Sequence, residues 1–274
     1  MTLNKKLSCC LIIILIYIAL FPELLFCAPK AKNQNLSEEL NVPVQDPEDI
    51  SFKWTPFQIS IWKQIQIFDE NYSINGIRLS LPCGINEEIT GLDIGLLNMV
   101  KHETRGIQVA GFLNISKTLY GLQLGLGNFA ERSVHGIQIG VGLNDTDCLY
   151  GIQLCALTNN TKNISGIQIG LANAYVYPKN GENIINSTAQ GVQIGGILNF
   201  TKRLYGIQIC PFVNGAYEVN GIQIGGLLNA AIEINGVQIG LYNRCKILRG
   251  LQIGVINYIH ERKFPYMPIM NFSF

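Results

Sequence analysis

Few side chains in this sequence have the type and spacing for chemistry. There are three histidines, His102, His135 and His260. Imidazole is the usual proton carrier and metal ligand near neutral pH. His102 and His135 stand in polar runs and His260 near the C-terminus. None has a Cys, Asp or Glu at metal-ligand spacing. No Ser, Cys or His arrangement resembles a nucleophile with its base. Asn144-Asp145-Thr146-Asp147 forms one acidic turn. Calcium needs about six or more oxygens, so a single unrepeated turn reads as a solvated corner. Glu103, Glu131 and Asp147 fall near one another in the phase of a 15-residue repeat. Convergent carboxylates on one face would suit an enzyme acting on polysaccharide; scattered acids in polar runs read as solvated surface. The expectation is a chain with no catalytic residue, no metal and no cofactor.

The remaining candidates are cysteines and an insertion. Of eight Cys, Cys9, Cys10 and Cys27 fall within the N-terminal residues 1–28. The other five lack CxxC spacing, which argues against a disulfide framework and a zinc site. Cys155 and Cys210 each occupy a place that holds Gly in other repeats. They would lie three coils apart, roughly 14 Å at strand spacing. A disulfide needs Cα atoms within about 7 Å, so they are expected to be unbonded to each other. An insertion of ten residues falls within 171–190 and carries Tyr175 and Tyr177. Insertions in repeat proteins map to one face, often the binding face, so both Tyr are candidates for a partner-binding loop.

The element that must position all of these is Gly136-Ile137-Gln138-Ile139-Gly140 and its relatives. It starts at Gly76, Gly91, Gly106 and nine further glycines up to Gly250. The spacing is 15 residues, apart from a 25-residue step after Gly166 and a 14-residue step at the end. Such a period is the mark of a repeat architecture. Within each unit the residues alternate, as in a half-buried strand. Gly121, Gln123 and Gly125 point one way; Leu122, Leu124 and Leu126 point the other. A column of Asn follows, from Asn98 to Asn257, with an extra residue such as Gly111 or Gly196 in the longer units, as a bulge would need. One Ile, Leu or Val stands two places before the next Gly in eight of the units from Gly106 onward, as Leu119 and Val134 do.

Two architectures satisfy this pattern. One is an all-β solenoid of about twelve 15-residue coils with non-repeat caps, stacked roughly 4.8 Å apart. Its interior is expected to be filled by Ile and Leu, with Gln as a surface ladder of stacked amides. In it, Arg78 and Asp93, which replace Gln in the first two units, are vertical neighbours of opposite charge. The alternative is an antiparallel outer-membrane β-barrel with Ile and Leu toward lipid and Gly and Gln lining the lumen. The Phe274 ending favours the barrel. The uniform connections and Pro268 in the last strand oppose it, and the solenoid is the preferred reading.

The rest of the chain frames the repeats. Lys5 and Lys6 precede an apolar stretch from Leu11 to about Phe26, the pattern of an export signal. Residues 1–28 are therefore read as a signal peptide, with Cys27 a candidate for lipidation. Residues 29–50 are rich in Pro, Asn, Gln and Glu without hydrophobic periodicity, and read as a tether. Residues 51–75 form an N-terminal cap, 76–258 the repeat domain and 259–274 a C-terminal cap. The formal net charge is +1 and charged residues are 14%. A nucleic-acid partner would need a concentrated basic face, which this chain lacks.

The sequence also resembles a bacterial family of GIQIG-type surface-repeat proteins best known from spirochaetes. The resemblance covers roughly residues 55–274. It rests on Pro56-Phe57-Gln58-Ile59-Ser60, on Gly76-Ile77-Arg78-Leu79 leading into Gly91-Leu92-Asp93-Ile94-Gly95-Leu96, on the repeats, and on Met267-Pro268-Ile269-Met270-Asn271-Phe272-Ser273-Phe274. It implies an exported protein of the cell surface or outer envelope, and it brings no catalytic residues. The function expected is a non-enzymatic scaffold for binding or adhesion. Its partner is a surface ligand, protein or glycan, with membrane association through the signal or a lipid anchor. The alternative is a barrel with a pore or transport role.

Overall fold

The computed structural model describes residues 53–62, 65–174 and 187–273. Cys27, Tyr175 and Tyr177, together with the signal and tether, lie outside the described residues. Residues 51–274 form one compact unit. It is all-β, and pairing runs almost without a break through the coils. The strands are β1 (Trp54–Trp62), β2 (Ile65–Gln66), β3 (Ser73–Asn86), β4 (Ile89–Val100), β5 (Glu103–Ala174) and β6 (Thr188–Cys210), followed by β7 (Val213–Gly225), β8 (Leu228–Ala230), β9 (Glu233–Ile239), β10 (Tyr242–Cys245), β11 (Ile247–Ile259) and β12 (Tyr266–Ser273). β5 covers several coils in one 72-residue ladder.

Coil pairs with coil in parallel, repeat on repeat. Gly76 pairs with Gly91, and Gly91 with Gly106. The register carries across the insertion, where Gly166 pairs with Gly191. The fold is therefore the β-solenoid. Parallel pairing excludes the antiparallel barrel, whose neighbouring strands would run in opposite directions. The extra residues fall where register shifts, between Gly95 and Leu97 and between Gly170 and Ala172. β1 joins the stack in parallel, with Gln58 opposite Arg78. At the two ends β2 and β12 pair antiparallel with their neighbours. Pro268 is thus on an edge strand, where a missing N–H is tolerated.

The first Gly of each unit is required by close approach. At Gly136 φ is 146°, and an added Cβ would stand 2.0 Å from the carbonyl oxygen of Gly121. No side chain fits there without moving the backbone of the coil below. The second Gly is constrained more softly. An added Cβ at Gly140 would meet the Asn144 Oδ1 at 2.5 Å, and the larger Cys155 and Cys210 are accommodated, buried and free.

Which parity faces inward is the reverse of the sequence-based expectation. The Gln column is the interior: Gln108, Gln123, Gln138 and Gln153 are fully buried. The Ile and Leu of the same strands face out, as Ile137 and Ile139 do at 37% and 39% exposure. The physical reason is that a polar interior costs little when it is saturated with hydrogen bonds. Gln123 Nε2 donates to Gln108 Oε1 at 2.7 Å, Gln138 to Gln123 at 2.8 Å, and so on to Gln252. Every rung donates toward the N-terminus. The ladder ends on Asp93, whose Oδ2 accepts from Gln108 Nε2 at 2.9 Å. Arg78 closes it with Nε and Nη2 on the two Asp93 oxygens at 2.8 and 2.7 Å, both side chains wholly buried. The expected vertical ion pair is present.

A second ladder runs the other way. Asn114 Nδ2 donates to Asn128 Oδ1 at 2.9 Å and Asn128 to Asn144 at 2.9 Å, each toward the C-terminus. The second hydrogen of each amide goes to a backbone carbonyl one coil on, as Asn128 does to Ile139. The two amide columns thus oppose their dipoles. Each leaves a bare carbonyl at its acceptor end, Gln252 Oε1 and Asn98 Oδ1. A third stripe is apolar. Leu119, Val134, Leu149, Ile164 and their counterparts are buried two residues before each first Gly from Gly121 onward. This stripe is the apolar part of the interior.

Candidate binding face

The strand that buries Gln must present its second and fourth residues outward. In all twelve coils those two places hold only Ile, Leu or Val. Each is covered by its copies above and below and open on its outer side. Exposure stays near two-fifths along the column, as at Ile107, Ile167, Ile209 and Ile253 (43%, 37%, 36% and 39%). β1 extends the face with Phe57 and Ile59. Past the second Gly of each unit, the corner adds Leu126, Val141, Leu157 and Leu241, all exposed. No charged side chain interrupts the two columns. A monomeric protein rarely exposes a contiguous apolar patch beyond a few hundred Å².

One flank of this face carries a ring stack. The residue before each first Gly points outward, and at three successive coils it is Tyr120, His135 and Tyr150. Ring centroids are 4.8 and 4.7 Å apart, with 12° between planes. Arg105 continues the row, its guanidinium 5.7 Å from the Tyr120 centroid. His135 is therefore held between rings. His102 Nε2 lies 3.2 Å from a Glu87 oxygen at the surface, and Tyr258 Oη is 3.0 Å from His260 Nδ1. The three histidines are in three different surroundings, and no group of three metal-ligating side chains occurs among the described residues.

The acidic candidates do not converge on a described cleft. Glu103 is paired with Arg105 at 2.7 Å, and Glu131 is exposed. In the acidic turn Asn144 and Thr146 point inward, Asn144 as a rung of the Asn ladder, while Asp145 accepts from Asn160. That alternation keeps the four residues from facing one cation together.

A cavity of about 470 Å³ opens on another side, near the C-terminal end. It forms because the column holding Phe200 and Arg244 shrinks to Gly215 and Ala230 between them. Cys245 lies in its wall. Burial pushes this thiol up to about 12, with Arg262 and Gln252 pulling weakly the other way. Burial likewise raises Cys155, against three backbone hydrogen bonds. Both thiols are protonated at neutral pH and unsuited to nucleophilic work.

The exposed aliphatic columns were visible in the sequence as a periodic pattern, and only their direction was missed. The ring stack also has a sequence signal, since Tyr120, His135 and Tyr150 recur at the repeat spacing. No helix of the described residues is long and apolar enough to cross a membrane. No family model matches this chain, and no curated protein or solved structure does either.

Proposed function

We propose that this chain is a non-enzymatic, exported repeat scaffold that binds through its aliphatic face at the cell envelope. The observation that carries the reading is the outward direction of two unbroken Ile/Leu/Val columns over twelve coils. Burying such a face against a partner releases ordered water and is favourable at roughly 25 cal/mol per Å² of apolar surface. The glycine and amide columns hold the strands flat and in register, so the face is preorganised and little ordering entropy is lost on binding. Its chemistry suits a protein with apolar surface better than a glycan, whose hydroxyls would find no polar group on it. The apolar N-terminal stretch, the polar segment behind it and the resemblance to GIQIG surface-repeat proteins support export to the envelope.

The test is display of the full chain in a bacterium with an outer membrane. Protease added to whole cells is expected to degrade it. Display cells carrying Ile137→Asn, Ile139→Asn, Ile167→Asn and Ile169→Asn are expected to lose at least about tenfold in binding to arrayed purified proteins. A chain retained in the cytoplasm, or a variant that binds as the parent does, overturns the reading.

A further inference from the structure

We infer that the aliphatic face is covered by the same face of a second copy of this chain. This rests on reading the face as a binding surface and names what occupies it. The area is the first support. Twelve coils at about 4.8 Å give a length of roughly 55 Å, and a five-residue side is about 13 Å wide. The product is about 700 Å² per chain before the corner residues are added. A stable interface buries about 800 Å² on each partner, so one face-to-face pair reaches the usual size.

Shape is the second support. The face is a flat sheet surface bearing two parallel columns of aliphatic side chains, with a shallow furrow over the buried Gln between them. Two such surfaces pack at about 10 Å with side chains interdigitating, as sheets do in a sandwich. A surface that presents the same columns along its whole length is complementary to itself after a two-fold rotation, the usual symmetry of a homodimer.

Charge is the third. A protein that lies on an anionic lipid surface carries a border of Lys and Arg. Here the outward position before each first Gly holds only two cations over twelve coils, Arg105 and Arg249; the others are Tyr, His, Asn, Gln, Ser or Thr. The opposite border is apolar, with Phe112, Leu126, Val141 and Phe212 exposed along it. A long uncharged face with so few flanking cations fits a second copy better than an anionic bilayer.

The experiment is the mass of the full chain in solution by sedimentation at micromolar concentration, with sedimentation of three forms compared. The wild type is expected at twice the 30.4 kDa chain mass. Replacing Ile137, Ile139, Ile167 and Ile169 by Thr keeps β-branching and should give a monomer with unchanged β-type circular dichroism. Replacing Tyr217 and Ile232, equally exposed on another side (42% each), by Thr should leave the dimer intact. A monomeric wild type, or a face variant that still dimerises, overturns the inference. If the face variant fails to fold, photo-leucine incorporated into the wild type, which falls on the face at Leu122, Leu124 and Leu154, followed by ultraviolet cross-linking and peptide mapping decides: intermolecular links only between peptides from outside the face overturn it. Flotation of monomeric wild type with phosphatidylcholine–phosphatidylglycerol vesicles would assign the face to lipid instead. Monomeric wild type that binds an arrayed protein through the face defeats the self-pairing alone, and loss of both defeats the binding reading as well.

Discussion

The first two coils and the ten that follow meet the same demand with different chemistry. Both must place a polar side chain at the third position of a narrow interior. From Gln108 onward the solution is a neutral amide, donating to the rung below and accepting from the rung above. At Arg78 and Asp93 it is an ion pair. A one-directional ladder needs an acceptor at its N-terminal end, and the positive end of the aligned amides favours a negative one. Asp93 fills that role. Its charge is then balanced by Arg78, which also donates to Asn86 and to the Met99 carbonyl at 3.1 and 3.0 Å. A repeat fold thus differs at its ends because stacked hydrogen bonds have a direction and must terminate.

Breaking the ion pair should have the largest effect. Asp93→Asn leaves a buried guanidinium without a counter-charge, and a loss of roughly 3–5 kcal/mol is expected in chemical denaturation. The double change Arg78→Gln and Asp93→Gln extends the neutral ladder and should recover at least half of that loss. If the double variant is worse than the single one, the first two coils are not a chemical substitute for Gln rungs. Next comes the middle of the ladder. Gln153→Leu strips partners from Gln138 Oε1, Gln168 Nε2 and Thr161 Oγ1. Leaving such buried groups bare costs about 1–3 kcal/mol each when nothing relaxes, so a net loss of roughly 2–4 kcal/mol is expected. A neutral outcome would mean that the interior is held by its apolar stripe alone.

The smallest effect is at Cys245, far from the charged end. Its column holds Ala at positions 130, 216 and 231, so Cys245→Ala should cost no more than about 1 kcal/mol at neutral pH. Its pH signature is more telling. The folded thiol is raised to about 12, above the roughly 8.5 of an unfolded thiol. Its stabilisation is complete below the unfolded value and is lost as pH rises toward the folded one. Removal of the thiol should flatten the fall in stability between about pH 9 and 11. Equal slopes for both proteins would show that the thiol does not titrate on unfolding.

Much of the outward aliphatic face was legible, though with its direction inverted. Strict alternation in Gly121 to Leu126 identified two sets of side chains, and hydrophobicity alone assigned the Leu set to the interior. That inference fails because a buried Gln is not orphaned here. Its copies 15 residues away supply both a donor and an acceptor. The same reasoning could have been turned around from Gly136, whose neighbours leave no room for a Cβ. The ring stack was legible from spacing, whereas the Phe200–Arg244 cavity was not, because it comes from small residues that break no pattern.

The sequence alone determined the repeat length and, within the solenoid reading, the stacking of like on like, the Arg78–Asp93 neighbourhood and the separation of Cys155 from Cys210; parallel pairing in the structure decided for the solenoid over the antiparallel barrel. These follow from periodicity, which fixes what lies above what. Only the tertiary structure decided which side of the strand is inside and which way the amides run. Parity has two senses that periodicity cannot tell apart. The choice between them depends on whether polar groups find partners across coils, and that is a property of the assembled stack.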